Sequence, residues 1–429
     1  MRTVRVGLIG LGTVGGGVVD ILRRHRADFA TRAGVDIELT RFANRNEARF
    51  VELGLPADAC TTDAADVLGD PDVDVVIELI GGTGVARDVV LGALSAGKSV
   101  VTANKALMAS NGREVMDAAD TNAVDIMFEA AVGGGIPIIG PLKHSLVSNE
   151  ITAVYGIVNG TTNYMLSRMA EDGLDYDAAL VEAQERGFAE ADPTADVDGL
   201  DAAAKIAILA SIAFNSRVTL SQVPAEGIRS IAPDDIAYAA EMGYVIKLIA
   251  IARRVAGEID VRVHPTMIRS EHPLAKVSGV YNAIYVVGDS VGETMFFGEG
   301  AGSLPAASAV VGDVIEVARH IQSGCLALVG CTCHEELAVR DLGELETGYY
   351  VRLAVADEPG VLAAVASIFG AHGVSLASVI QKRTDDEGGA EIVWVTHRAA
   401  ERDFQAAITQ IRALGVVEAV AATIRVEEL

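Results

Sequence analysis

The chain has 429 residues, 50% of them hydrophobic, and sets 34 lysines and arginines against 59 aspartates and glutamates for a net charge of −25. That length predicts two or three domains rather than one. A surface so acidic repels nucleic acid and anionic membranes, which removes both from the expected partners, and no uninterrupted apolar stretch is long enough to span a bilayer.

The amino terminus, MRTVRVGLIG, runs straight into a strand pattern rather than a secretory signal, so a cytoplasmic protein is expected. Four cysteines, Cys60, Cys325, Cys331 and Cys333, are too few for a disulfide framework in a chain of this size. The cluster CTCH, Cys331 to His334, lacks a second ligand pair at zinc spacing, and reduced thiols are expected.

VRVGLIG is a β-branched apolar run, and LGTVGGGVVDILRRH after it has helical spacing. IELTRFANR, DVVIELIGG, KSVVTANKAL and VDIMFEAAVGG follow as further strands, with helical segments between most of them. Strands alternating with helices predict an α/β fold with a doubly wound parallel sheet over residues 1–140. Between the first strand and its helix stand Gly10, Gly12 and Gly15, with Thr13 and Val14 inside the same turn. Glycines there permit a tight turn and let backbone approach a pyrophosphate seated on the helix N-terminus, so dinucleotide binding is expected. The second strand ends Phe42-Ala43-Asn44-Arg45-Asn46, without the acid that usually holds ribose hydroxyls. Arg45 either clasps a 2′-phosphate, which favours NADP(H) over NAD(H), or is a solvated loop residue. Lys105 closes Thr102-Ala103-Asn104-Lys105 at the carboxyl end of a strand, the edge where open parallel sheets bind ligands. It meets a phosphate, a nicotinamide amide or a substrate there, or is an ordinary surface lysine. In FEAAVGGGIPII, Phe128 to Ile139, loop carbonyls together with the Glu129 side chain can cage a hard monovalent cation, and a domain hinge explains the glycines as well.

Residues 141–335 mix strands near TAVYGIVNG and VRVHPTMI with several helices, an α+β pattern read as a substrate-binding and dimerisation domain. A helix over about 305–325, opened by GEGAGSLPAASAVVGD, is expected to pack back onto the first domain. In EADPTADVDGLDAAAK, Glu190 to Lys205, five carboxylates precede one lysine that stands inside an apolar run. Asp198 is read as the N-cap and Asp201 as the N3 residue of the helix, where an acid offsets the positive helix end. Lys205 falls four residues later on the same face. A helix apolar all round is buried, and a buried lysine is neutral unless an acid holds it charged. Lysine beside a carboxylate in a dry site can pass a proton. After DLGELETG, read as a linker, residues 348–429 repeat the order βαββαβ of a ferredoxin-like module.

GLGTVGGGVV, ELIGG, VTANKALM, FEAAVGGGIPII, NGTTNYML, GFAEADPTADVDGLDAAAKIAIL and GEGAGSLPAASAVVGD, in this order, resemble the homoserine dehydrogenase family. DEPGVLAAVASIFGAHGVSL resembles an ACT domain, a small amino-acid-sensing module. The resemblance implies reversible NAD(P)-dependent interconversion of L-homoserine and L-aspartate 4-semialdehyde, on the route to threonine, methionine and isoleucine. It implies Lys205 as the proton donor, Asp201 and Glu190 as residues that hold homoserine, and Asp196 as a further acid. Lys105 matches a lysine at the nicotinamide end that assists catalysis. Thr13, Val14, Gly187 and Gly302 match cofactor contacts. Glu129, with the carbonyls of Val132, Gly134 and Ile136, matches a sodium site. For the carboxyl-terminal module it implies feedback inhibition by L-threonine near Asp357, Glu358, Pro359 and Gly360, the alternative being a dimerisation module without a ligand. A homodimer or homotetramer is implied. Thr83-Gly84-Val85 departs from the expected turn after ELIGG, where a proline or an acid is usual. Two rivals stay open, another dehydrogenase of amino-acid semialdehydes and a non-catalytic sensor of dinucleotide and amino acid. A sensor has no use for a buried proton donor.

Overall fold

The structure, a computed structural model, describes residues 2–328, 330–384 and 389–429. The chain divides into two units: Met1–Val158 with Ala204–Val223 and Tyr281–Leu337, and Asn159–Ala203 with Pro224–Val280 and Ala338–Leu429.

In the first unit, six strands form one sheet: β1 (Thr3–Ile9), β2 (Asp36–Ala43), β3 (Cys60–Thr61), β4 (Val75–Glu78), β5 (Ser99–Thr102) and β6 (Ile126–Met127). Their order is β3-β2-β1-β4-β5-β6, and every pairing is parallel. This is the doubly wound order, whose direction reverses between β1 and β4. The sequence shows five of these strands; β3, two residues long, leaves no pattern to read. Val4, Val6, Leu8, Val75 and Ile77 are fully buried, as strands covered on both faces require. Part of that cover comes from far along the chain. The helix Ser303–Ser323 buries Ala307, Val310, Val311, Val314, Val317 and Ala318, a stripe at helical spacing, in the same core as Val18, Val19 and Leu22 of the helix Thr13–Arg32. The two helices meet so closely that a Cβ on Gly17 would lie 2.8 Å from the Ser303 carbonyl oxygen. At the far end of the helix, buried His320 hydrogen-bonds Asp125, next to β6, at 3.0 Å. Three antiparallel strands, Ile151–Ile157, Tyr281–Gly288 and Gly292–Glu299, complete the unit.

The second unit is built on a mixed sheet. Tyr244–Val255 and Glu258–Arg269 form a hairpin whose two turn residues, Ala256 and Gly257, both have positive φ, matching a type I′ turn. Val417–Val426 then pairs in parallel with Glu258–Arg269 and antiparallel with Glu346–Ala356. Gly389–Thr396 and Leu376–Thr384 follow. With the helices Val361–Ala371 and Glu401–Arg412, these last four strands make the βαββαβ module, closed by a core of Tyr349, Phe369, Trp394 and Phe404. Its sheet is continuous with the hairpin. Among the described residues no helix is long and apolar enough to cross a membrane.

Candidate active site

The glycine turn is shaped by space. Gly10 has φ +102°, and its N–H donates to the Ala43 carbonyl at 2.9 Å. A Cβ on Gly15 would stand 2.1 Å from the Gly10 carbonyl oxygen, so only glycine lets the turn close. Gly12 is the N-cap of the helix Thr13–Arg32 and offers no side-chain cap, and the first turn carries no acid. The leading N–H groups, from Thr13 and Val14 onward, therefore face outward with a positive end. Gly302, at φ +124°, is the equally side-chain-free N-cap of the helix Ser303–Ser323, and Ser303 Oγ donates to the Thr13 carbonyl at 2.7 Å. Two helix N-termini thus meet at one place, a cradle suited to the anionic bridge of a dinucleotide.

Asn44 and Arg49 fix this turn, and sequence reasoning missed both. Asn44 Oδ1 accepts from Leu11 N–H at 3.0 Å, and Arg49 Nε donates to the Leu11 carbonyl at 2.9 Å. Arg45 stands beside them, exposed, in the turn after β2.

At the carboxyl edge of the sheet, buried Glu78 accepts from Ile80 N–H at 2.6 Å, Gly81 N–H at 3.0 Å and Thr102 Oγ1 at 2.6 Å. This ties the ends of β4 and β5 together. Asn104 caps the helix Lys105–Asn122 through Leu107 N–H and donates to the Gly82 carbonyl at 2.7 Å. Lys105 is consequently the first helical residue at this edge, and it is exposed. In the departing turn, Gly84 caps the helix Val85–Ser95.

The Glu129 loop turns on Gly133 and Gly134, both with positive φ. Glu129 Oε1 accepts from the N–H groups of Ile138 and Ile139, and Oε2 from that of Gly140, all within 2.7 Å. Oε2 keeps one lone pair for a cation. Asp313 accepts the Glu129 N–H at 2.8 Å, and burial, with the Glu129 charge adding to it, pushes its carboxyl up to about 8. Glu129 and Asp313, both half-buried, meet where this loop packs on the helix Ser303–Ser323, and the open lone pair of Glu129 Oε2 is the position suited to a positive charge.

The helix Leu200–Ala213 is buried at every residue from Asp201 to Ala210. Lys205 is 8% exposed, and its Nζ donates to the Val158 carbonyl at 2.6 Å. Asp201, one turn earlier, is 7% exposed. In the second unit Asn159 Nδ2 donates to both Asp196 Oδ1, at 2.7 Å, and Asp201 Oδ2, at 2.9 Å. Asn159 was not singled out from the sequence. Its place in NGTTNYML, between a strand and a helix, is the signal that marks it as a cap.

One expectation is corrected. Asp198 is not the N-cap of this helix, and Asp201 is its second residue rather than its third. Gly199, at φ +80°, precedes Leu200. Asp198 instead closes the short helix Thr194–Val197 and pairs with Arg229 at 2.5 Å. Residue type suggested a cap there; an arginine 31 positions on took the carboxylate. Glu190 and Gly187 are exposed in the loop before that short helix, with Gly187 at φ +74°. Asp357, Glu358, Pro359 and Gly360 form an exposed turn, where Gln381 Nε2 donates to Asp357 at 3.2 Å and Gly360 caps the helix Val361–Ala371.

Residues 10–129 match the family model described as homoserine dehydrogenase, NAD binding domain, residues 137–315 the model described as homoserine dehydrogenase, and residues 349–416 the ACT domain model. The chain is 47% identical to a homoserine dehydrogenase of Synechocystis sp., over 99% of both chains. It is 43% identical to one of Bacillus subtilis, over 100% of this chain and 99% of that one. A crystal structure of a homoserine dehydrogenase from Thiobacillus denitrificans superposes with a TM-score of 0.94 at 42% identity, covering 100% of this chain and 99% of the other. A hyperthermophilic archaeal homoserine dehydrogenase in complex with NADPH gives a TM-score of 0.64 at 27% identity, over 74% of this chain and 98% of that one.

Proposed function

Because the chain belongs to the homoserine dehydrogenase family and carries its nicotinamide-dinucleotide-binding domain, we propose that it interconverts L-homoserine and L-aspartate 4-semialdehyde, within the supply of threonine, methionine and isoleucine. The observation that carries the mechanism is Lys205, an amine shielded from water and aimed by the Val158 carbonyl, one helical turn from Asp201. The cofactor supplies or accepts a hydride at the substrate carbon when bound. Hydride arrival at a carbonyl leaves negative charge on oxygen, and Lys205 gives that oxygen a proton; in the oxidative direction it takes the hydroxyl proton back. Asp201, Asp196 and Glu190 hold the substrate's ammonium group. Lys105, at the sheet edge, meets the nicotinamide end and helps orient the reacting groups. Gly10, Gly12, Thr13, Val14, Gly15 and Gly302 receive the pyrophosphate, with Gly187 as a further contact.

Arg45 clasps a 2′-phosphate, so NADP(H) is the preferred cofactor and NAD(H) the weaker one. Glu129 Oε2 and the carbonyls of Val132, Gly134 and Ile136 would hold a sodium ion, whose charge would offset that of Glu129 and fix the loop. The assembly is a cytoplasmic homodimer or homotetramer.

Purified protein given L-homoserine and NADP+ produces reduced nicotinamide, read by its near-ultraviolet absorbance; no product with either NADP+ or NAD+ defeats the proposal. Arg45→Ala raises the KM for NADP+ on the order of tenfold and leaves that for NAD+ nearly alone, since a charge-assisted hydrogen bond is worth about 1.5–3 kcal/mol. An unchanged preference makes Arg45 a solvated loop residue. The ACT module senses L-threonine at the Asp357–Gly360 turn. Intact enzyme loses activity as threonine is added, and Asp357→Ala raises the half-inhibiting concentration about tenfold, the scale of one lost charged hydrogen bond. Indifference of the intact enzyme to threonine removes the effector.

A further inference from the structure

We propose that Asn159 is a positioning residue of the substrate site, whose one side-chain amide spaces and orients Asp196 and Asp201 so that a single ammonium group meets both. This rests on the reading, given above, that these two acids hold the substrate.

The amide is fully committed. Its Nδ2 gives one N–H to Asp196 at 2.7 Å and the other to Asp201 at 2.9 Å. Its Oδ1 accepts from the Thr162 N–H at 2.9 Å and from Thr162 Oγ1 at 2.9 Å. An amide has two donors and two acceptor positions, and all four are engaged. These partners also fix which end is which. Flipped, the oxygen would face two carboxylates and the NH2 would face a backbone N–H. The cap role anchors the residue, because Oδ1 holds the first turn of the helix Gly160–Asp172.

The spacing follows from the same atoms. The two N–H bonds of a planar amide diverge by about 120°, so oxygens at these two distances stand roughly 5 Å apart. An ammonium placed across that gap reaches both oxygens at ordinary hydrogen-bond length, through lone pairs the amide does not use. Thr161 does not replace it. Its hydroxyl donates to the Phe188 carbonyl at 2.6 Å and lies 3.3 Å from Asp196.

Asn159→Ser and Asn159→Thr separate the two roles. Both side chains cap helices well, and neither reaches two carboxylates. Each variant is expected to raise the KM for homoserine on the order of ten- to a hundredfold, the scale of one or two lost hydrogen bonds to charged groups. The KM for the oxidised cofactor, the melting temperature and the binding of reduced cofactor stay near wild type. Asp196→Asn and Asp201→Asn are measured alongside. If those two raise the homoserine KM and the Asn159 variants do not, the positioning role is overturned. If the aspartate variants leave it unchanged, the substrate reading fails instead. Loss of folding and cofactor binding in step with homoserine KM in both Asn159 variants makes the residue purely structural, and also overturns the proposal.

Discussion

Lys205→Ala is expected to lower turnover by about a hundred- to ten-thousandfold, the usual contribution of a positioned acid–base group. Binding of the reduced cofactor, measured by titration, stays close to wild type, because the glycine turn and the Ser303–Ser323 N-terminus owe nothing to this side chain. The Val158 carbonyl loses its donor, and a buried unsatisfied acceptor costs about 1–3 kcal/mol, so a modest fall in melting temperature accompanies the effect. Lys205→Met fills more of the volume and is expected to restore stability without restoring turnover. Were Lys205→Met to turn over at the wild-type rate, the proton-donor assignment would be finished.

The second large effect concerns stability. Arg352, on the strand Glu346–Ala356, donates to Asp235 at 2.7 and 3.1 Å and to Glu391 at 2.8 Å. Asp235 is completely buried in the first turn of the helix Pro233–Glu241, where it also accepts from Tyr350 OH at 3.0 Å and from the Ala232 N–H at 3.0 Å. Tyr238 of that helix donates to Glu391 at 2.6 Å, and Lys382 pairs with Glu241. Three strands of the ACT module thus grip one helix face through Asp235, Tyr238 and Glu241. Arg352→Met strands two carboxylates in this interface, and removing one partner of a buried pair costs about 3–5 kcal/mol. The expected readout is a large drop in the urea midpoint, partly recovered in the double variant Arg352→Met, Asp235→Leu. A single variant within about 0.5 kcal/mol of wild type shows that the interface tolerates the loss, as a surface pair does.

The same interface bears on how regulation is tested. Arg425 on the last strand makes a two-pronged pair with Glu226 at 2.8 Å, and fully buried Arg262 pairs with Glu427. Cutting the chain before the module would leave Arg262 without that partner and open the edge of Glu258–Arg269. Point changes in the exposed Asp357–Gly360 turn disturb none of this and are the cleaner probe.

Local chemistry made much of the site readable. The apolar run around Lys205 announced burial, and burial is observed from Asp201 to Ala210. The glycines announced the turn, because a Cβ at Gly15 has nowhere to go. The helix start was misjudged because Asp198 has the composition of a cap, while its actual partner, Arg229, is invisible at short range. Asn159 escaped notice for a related reason: the spacing NGTT reveals a cap, and only folding brings Asp196 and Asp201 to the amide's other end.

By itself the sequence determined the parallel doubly wound domain, the βαββαβ module, the buried lysine and the glycine cradle. Each depends on hydrophobic period or on backbone freedom, which act over a few residues. The tertiary structure alone decided that Ser303 joins the two glycine-capped helix N-termini, that Asn159 sits between two acids, and that Arg352 finds Asp235. Those hydrogen bonds join positions dozens to hundreds of residues apart, and nothing in the order of a chain fixes which buried donor meets which acceptor until the cores have packed.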